Sequence, residues 1–303
     1  MRKDTQGKSA KNFSQCEQVV EVRSLNVPPP SQTWTCINET EAQVAVGCTS
    51  TPKDNFDHKK LTMLLQDVAP TTHSLDLDEL NQRFADVHPI NILAWCLENL
   101  RPGLVQSSAF NVNGMAIMHM LYQIGAHPPV PVLFLDTLHH FPETLALVRD
   151  AQKQYELDLR IYRVPDADSR ESFAARYGES LWEKDFEKYH YITKVEPLQR
   201  GLRELGATAW ITGRRRDQST TRAQTPIFEH DKHGRLKINP LASWTRQDVW
   251  KYVVRHNVLY NPLHDLGYPS IGDEPMTTPV NAGEDERAGR WRGMGKTECG
   301  IHL

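Results

Sequence analysis

Cysteine pairs, an excess of charge and long apolar runs are all missing from this 303-residue sequence. Its five cysteines form no Cys-x-x-Cys pair, which argues against a structural zinc site. The formal net charge is −3, so a general nucleic-acid-binding or membrane-surface protein is not expected. No apolar run approaches the roughly 20 residues of a membrane span, and the first residues carry no hydrophobic signal core. We therefore expect a cytoplasmic protein with reduced thiols and neither a nucleic-acid nor a membrane partner.

Composition divides the chain into three stretches. Residues 1–56 are polar and irregular, and we expect them to be a disordered extension. Residues 57–270 carry the periodic apolar pattern of a folded domain. Residues 271–303 are turn-rich and contain several glycines, which predicts a flexible C-terminal tail.

Apolar strands and helices alternate within the central stretch. Strands are predicted over 103–108, 130–136, 157–164, 208–213 and 236–240. Helices are predicted over 88–100, 114–125, 142–155 and 245–256, with a long helical region over 170–205 that breaks near Gly178 and Pro197. Cys96 falls on the apolar face of the first of these helices, which predicts a buried thiol. This alternation predicts an α/β fold with a doubly wound parallel sheet.

Three polar motifs follow strand ends, where ligands bind in such sheets. The first is Ser107-Ser108-Ala109-Phe110-Asn111-Val112-Asn113-Gly114. Serine hydroxyls and backbone N–H groups at a helix start predict an anion cradle, although ordinary strand–helix turns share this composition.

The second motif is Leu135-Asp136-Thr137-Leu138-His139-His140-Phe141-Pro142-Glu143-Thr144. Asp136 can accept a hydrogen bond from a ribose hydroxyl, and Thr137 can bond a nucleotide. Adjacent histidines do not easily face one metal ion, and no cysteine accompanies them. We therefore predict a nucleotide-binding role and no metal site.

The third motif, residues 213–223, carries four arginines: Arg214, Arg215, Arg216 and Arg222. Arginine suits bidentate binding of phosphate or sulfate, so these residues are candidates for substrate binding. The alternative is a solvated basic loop.

The sequence ends in Lys296-Thr297-Glu298-Cys299-Gly300-Ile301-His302-Leu303. Lys296 and His302 bring positive charge near Cys299, which favours the nucleophilic thiolate. An anion pocket and such a cysteine together suggest thiol attack on an activated oxyanion carried by a nucleotide. Attack at sulfur, which leaves an S–S bond, is natural thiol chemistry.

These motifs and the Glu298–His302 tail together resemble the 3′-phosphoadenylylsulfate (PAPS) reductase family of assimilatory sulfate reduction, over residues 86–303. The resemblance implies an adenine-nucleotide α-hydrolase type of fold with a mobile C-terminal tail. It also implies a homodimer and thioredoxin as electron donor. By the same resemblance, Cys299 is the catalytic nucleophile, assisted by Lys296 and His302. The implied substrate-binding residues are Ser107, Ser108, Asp136, Thr137, Arg214, Arg215, Arg216 and Arg222.

Two departures separate the sequence from related patterns. The iron–sulfur branch of the family, which reduces adenylylsulfate (APS), has cysteines where this chain has Tyr189, His190, Asp273 and Met276. The resemblance therefore implies the branch without a cluster and without a bound cofactor. Asn111 replaces the family's usual glycine, and we expect it to tolerate a positive φ.

Two other functions remain open. An adenylating enzyme of the ATP-pyrophosphatase type would need a Gly-Gly-Lys-like loop, whereas the chain has Asn111-Val112-Asn113-Gly114. A non-catalytic nucleotide sensor would keep the pocket but release no sulfite.

Overall fold

The computed structural model describes residues 75–293 together with Gly300 and Ile301. These residues form a six-stranded sheet of order β3-β2-β1-β4-β6-β5, in which β5 is antiparallel to β6 and the other neighbouring pairs are parallel. The strands are β1 Leu104–Ser107, β2 Val132–Asp136, β3 Leu159–Arg163, β4 Ala209–Ile211, β5 Phe228–His230 and β6 Leu236–Ile238.

Helices flank both faces of the sheet. They are α1 Leu77–Phe84, α2 Pro89–Asn99, α3 Val112–Ile124, α4 Pro142–Gln154, α5 Arg170–Tyr177, α6 Leu181–Lys184, α7 Phe186–His190, α8 Glu196–Glu204 and α9 Arg246–Arg255. A π-helical segment, Tyr191–Val195, joins α7 to α8. Short 3₁₀ turns lie at Arg216–Gln218, Thr220–Arg222, Pro262–Leu266 and Glu274–Met276. None of the described helices is long and apolar enough to cross a membrane.

Helix α3 lies at the centre of the core. Its first ten residues are all buried, and it packs between the sheet and helices α2 and α9. On the other face, α8 packs against β2 and β3, where Gly201 lies close to Leu133 and Tyr162. Cys96 of α2 is fully buried, as predicted, and burial raises the pKa of its thiol.

The predicted doubly wound α/β sheet is confirmed, and each predicted strand overlaps an observed one. Strand β5 was not predicted, because three residues at a sheet edge are too few to show alternation. Helix α3 begins two residues before the predicted start, at Val112, because Asn111 caps it: Asn111 Oδ1 accepts a hydrogen bond from the Gly114 N–H at 2.9 Å.

Two local predictions are wrong. Asn111 has a φ of −72°, and the positive φ of this loop, 54°, belongs to Phe110 instead. The helical region does break at Gly178, but the chain remains helical through Pro197. Pro197 lies in the first turn of α8, where a proline fits because its missing N–H is not needed.

The C-terminal segment, defined here as residues 271–293, packs against the domain. Asp273, Met276 and Trp291 are at most 4% exposed. Antiparallel bridges join His140 to Asp273 and Thr277 to Arg290. The predicted domain boundary at residue 270 therefore does not mark the end of packing. The predicted extension, 1–56, and the remainder of the predicted tail, 294–299 and 302–303, lie outside the described residues.

Candidate active site

A cleft opens at the carboxyl ends of β1, β2 and β4. It measures about 1120 Å³ with its open mouth included, which is enough for a nucleotide. All three polar motifs contribute to it. The predicted site residues on its lining are Ser107, Ser108, Thr137, Arg214 and Arg222.

The first motif forms the amino-terminal end of α3. Ser108 Oγ accepts a hydrogen bond from the Phe110 N–H at 3.0 Å. Asn113 Nδ2 donates to the Gly213 carbonyl at 2.8 Å, which ties this loop to the third motif. A Cβ at Gly213 would lie 3.0 Å from the Asn113 Cβ, a tight contact that glycine avoids. Serine hydroxyls and the start of a 13-residue helix make this wall suitable for an anion.

The four predicted arginines divide into two pairs. Arg214 lines the cleft and pairs with Glu229 at 2.6 Å, and Arg222 lines it while donating to Gln218 Oε1 at 2.6 Å. Arg215 and Arg216 are absent from the lining.

Arg215 holds the site together from behind. Its side chain is fully buried, and it donates to Asn113 Oδ1 at 2.5 Å, Asp217 at 2.8 Å and Glu286 at 2.9 Å. These bonds join the first motif, the third motif and the C-terminal segment. The structure thus places Arg215 behind the cleft wall and not on its lining. Arg216 is exposed, and its Nε donates to the Thr225 carbonyl at 2.9 Å.

Only part of the second motif faces the cleft. Thr137 lines the cleft, whereas Asp136 does not: its carboxylate pairs with Arg163 at 3.0 Å and accepts from the Leu138 N–H at 3.0 Å. The interpretation of Asp136 as a ribose acceptor therefore has no support in the cleft geometry. The reason is local, because Arg163 stands beside Asp136 at the end of the neighbouring strand β3.

The two adjacent histidines bond separate backbone carbonyls. His139 Nδ1 donates to the Thr137 carbonyl at 2.7 Å, and His140 Nε2 donates to the Leu135 carbonyl at 2.9 Å. Burial lowers the pKa of both rings, more than nearby Asp273 raises it, so both are neutral near pH 7.

A buried ion pair on the cleft wall was missed from the sequence. Lys194 Nζ lies 2.5 Å from Asp273 Oδ2, and the Thr137 hydroxyl donates to Asp273 Oδ1 at 2.8 Å. Burial alone would raise the pKa of Asp273. The charge of Lys194 and the hydrogen bonds from Lys194 and Thr137 outweigh this effect, hold the pKa of Asp273 far below the usual range and keep the carboxyl group ionised. Lys194 lies in a π-helical segment, a helix type that often marks functional sites, but no sequence pattern indicates its pairing with Asp273.

The C-terminal segment adds Glu286, Arg287 and Arg290 to the lining. Arg290 Nη1 donates to the Ile271 carbonyl at 3.0 Å, and its guanidinium lies 4.7 Å from the Trp291 ring centroid. A Cβ at Gly272 would lie only 2.0 Å from Arg290 Nη2, so glycine makes room for this arginine. The periodicity of apolar residues does not reveal these three residues, because they lie outside the helices and strands.

His264 and Ile301 also line the cleft. His264 Nδ1 donates to the Tyr268 carbonyl at 2.8 Å, and burial lowers the pKa of His264 to about 4, so its ring is neutral. Ile301 also lines the cleft and packs against the apolar cluster that contains Leu198 and Trp210. Cys299, Lys296 and His302 lie outside the described residues.

Comparisons of sequence give one consistent family. The model of the phosphoadenosine phosphosulfate reductase domain matches residues 103–279. A phosphoadenosine phosphosulfate reductase of Emericella nidulans is 48% identical over 75% of this chain and 74% of its own length. One of Saccharomyces cerevisiae is 46% identical over 75% and 89%. An adenosine 5′-phosphosulfate reductase of Lysinibacillus sphaericus is 41% identical over 70% and 90%.

Comparison of structures agrees with the sequences. The crystal structure of phosphoadenylyl-sulfate reductase from Candida auris, a phosphate complex, superposes with a TM-score of 0.62. It is 39% identical and covers 68% of this chain and 98% of its own. This neighbour confirms the adenine-nucleotide α-hydrolase type of fold. On the matched domain and these relatives, the chain belongs to the phosphoadenosine phosphosulfate reductase family.

Proposed function

We propose that this protein reduces PAPS to sulfite and adenosine 3′,5′-bisphosphate, with reduced thioredoxin as the electron donor. The observation that carries the proposal is the cleft itself. Anion-binding groups from four separate segments converge there, and Ile301 brings the end of the chain to the same cleft. Cys299 precedes Ile301 by only two residues, so chain connectivity supports a role for its thiol at this position.

The cleft offers a separate group for each charged part of such a substrate. Ser107, Ser108 and the amino-terminal end of α3 provide hydrogen-bond donors for one phosphate. Arg214 and Arg222 provide cations on the opposite loop, and Thr137 adds a hydroxyl. Lys194, Arg287 and Arg290 provide cationic groups that would stabilise the negative charge developing on the bridging oxygen as it leaves with the phosphate.

The proposed reaction runs in two transfers at one sulfur atom. The Cys299 thiolate attacks the sulfate sulfur of PAPS, a new S–S bond forms, and the S–O bond to the phosphate breaks. Adenosine 3′,5′-bisphosphate leaves with the bonding electron pair, and Cys299 carries an S-sulfonate. Lys296 and His302 favour the attacking thiolate, and the cleft cations stabilise the leaving phosphate.

Thioredoxin then supplies two electrons. One of its thiolates attacks the sulfur of Cys299, and sulfite leaves with the electron pair of the broken S–S bond. The second thioredoxin thiol resolves the mixed disulfide, which restores the Cys299 thiolate and releases oxidised thioredoxin. A protein with this activity serves sulfate assimilation, and through it cysteine and methionine biosynthesis, in the cytoplasm. We further propose a homodimer.

We propose PAPS rather than APS as the substrate because the four positions at which the APS-reducing branch has its cluster cysteines carry other residues in this chain. Tyr189 and Met276 pack with Trp291 in one apolar cluster, and Asp273 is paired with Lys194. Burial and the Asp273 carboxylate raise the pKa of Tyr189 well above its ordinary value, so its phenol stays neutral. Side chains that cannot act as thiolate ligands thus occupy the four positions.

A sulfite-release assay with PAPS or APS and reduced thioredoxin tests the proposal. We expect turnover with PAPS and a much lower kcat/KM with APS. Preference for APS would overturn the substrate assignment. Tight nucleotide binding without sulfite release from either substrate would favour the non-catalytic sensor.

A further inference from the structure

The cleft contains two carboxylates among its many cationic groups. Of the described lining residues, Glu286 neutralises Arg215, which lies behind the wall, and Asp273 neutralises Lys194, which lies on the wall. Asp273 therefore competes directly with any anion that approaches Lys194.

The Asp273 carboxylate is held firmly in place. The Thr137 hydroxyl donates to Oδ1 at 2.8 Å, and the Asp273 backbone forms an antiparallel bridge with His140. The next residue, Glu274, donates its N–H to the His139 carbonyl at 2.7 Å, and the Thr277 hydroxyl donates to the Asp273 carbonyl at 2.8 Å. Because these bonds fix the backbone and one carboxylate oxygen, the group cannot swing away when an anion arrives. Its charge opposes the ligand in the bound state as well.

We propose that Asp273 limits the affinity of the cleft for phosphate and sulfate groups by keeping Lys194 paired. A lysine ammonium has three donors, and one of them is committed to Asp273. A ligand must therefore share Lys194 with a fixed negative charge, and inorganic anions that touch little else are retained weakly. A nucleotide that fills the remainder of the cleft has other contacts to hold it.

The same competition acts on the product. Adenosine 3′,5′-bisphosphate leaves behind an ammonium that already has a counter-ion, so its departure does not expose an unpaired buried charge. The inference rests on the proposed function only in taking the cleft as the anion site. Sulfite release by the unaltered protein tests that function separately.

The test is Asp273→Asn in the full-length chain. The amide keeps the shape of the carboxylate but removes its charge, which leaves Lys194 free for a ligand. We expect inorganic phosphate and adenosine 3′,5′-bisphosphate to bind at least tenfold more tightly, as measured by isothermal titration calorimetry. Unchanged or weaker binding of both ligands would overturn the inference.

The double variant Lys194→Met/Asp273→Asn is the matched control. It keeps the net charge of the original pair, so the gain in affinity should disappear if it acts through Lys194. A double variant that keeps the gain would show that Lys194 is not involved and would also overturn the inference. Asp273→Ser removes the same charge and leaves room for water; it carries the same expectation if the asparagine variant does not fold.

Discussion

The third motif shows how neighbouring arginines take different tasks. Arg214 and Arg222 face the cleft, while Arg215, fully buried, joins the first motif to the C-terminal segment. A guanidinium with three oxygen partners is well suited to such a junction, since it has five donors in a fixed fork. The sequence predicted the basic loop but could not say which side chains turn inward.

Replacing Arg222 by alanine tests the cleft assignment. The loss of one charged hydrogen bond to a phosphate should cost about 1.5–3 kcal/mol, so adenosine 3′,5′-bisphosphate should bind roughly ten- to a hundredfold more weakly. Calorimetric titration measures this. Arg160→Ala removes an exposed arginine that pairs with Asp158 on the β3 edge, away from the cleft lining, and should change the affinity less than twofold. If both variants bound adenosine 3′,5′-bisphosphate with equal affinity, Arg222 would not be a nucleotide-binding residue.

Because His264 is neutral in the folded protein, we expect the folded state to lose stability at acid pH. Burial lowers its pKa to about 4, against about 6.5 in an unfolded chain. The unfolded chain therefore binds the proton first, so the stability associated with neutral His264 is present above pH 6.5. It is lost as the pH falls from 6.5 towards 4.

Between pH 7 and pH 5 this single group should lower the free energy of unfolding by about 2 kcal/mol. His264→Gln should reduce the pH dependence by that amount in urea unfolding experiments at the two pH values. A variant with the same pH dependence as the original chain would contradict the assignment.

Among the helices, α8 packs closely against the sheet at Gly201. A Cβ at Gly201 would lie 2.6 Å from Leu133 Cδ1 and 2.9 Å from Tyr162 Cδ2. Gly201→Ala should therefore destabilise the fold by about 1–3 kcal/mol through overpacking, although alanine favours helix.

Urea unfolding of Gly201→Ala measures this effect. Arg203→Ala, on the exposed side of the same helix, is the control and should stay within about 0.5 kcal/mol of the original chain. A stabilised Gly201→Ala would show that helix propensity outweighs the contact with the sheet.

The periodicity of apolar residues predicted the helices and strands. Contacts between residues far apart in the sequence could not be predicted in this way. Strands β1–β4 and helix α3 are visible because their apolar residues repeat over whole elements. Asp136 was assigned to the ligand because strand order, which places Arg163 beside it, cannot be read from one sequence. Lys194 and Asp273 lie 79 residues apart in sequence, so no local pattern announces their pairing.

For the molecule as a whole, other side chains occupy the positions at which the APS-reducing branch has cysteines. Tyr189 and Met276 belong to a buried apolar cluster with Trp291, and the Asp273 carboxylate is committed to Lys194. We therefore expect the purified protein to contain neither iron nor inorganic sulfide in stoichiometric amounts. Metal analysis and the visible absorbance spectrum measure this. A cluster would need about four thiolate ligands. A brown protein with stoichiometric iron and sulfide would contradict it.

The proposed mechanism requires that one cysteine, Cys299, carries the sulfonate. A single exposure of the full-length protein to PAPS without thioredoxin, followed by peptide mass spectrometry, tests it most directly. We expect one equivalent of adenosine 3′,5′-bisphosphate and a sulfonate on Cys299, with buried Cys96 unmodified as the internal control. Cys299→Ser should form no adduct and release no sulfite with thioredoxin, yet bind nucleotide. Sulfite release with Cys299 unmodified, or by Cys299→Ser, would contradict the account.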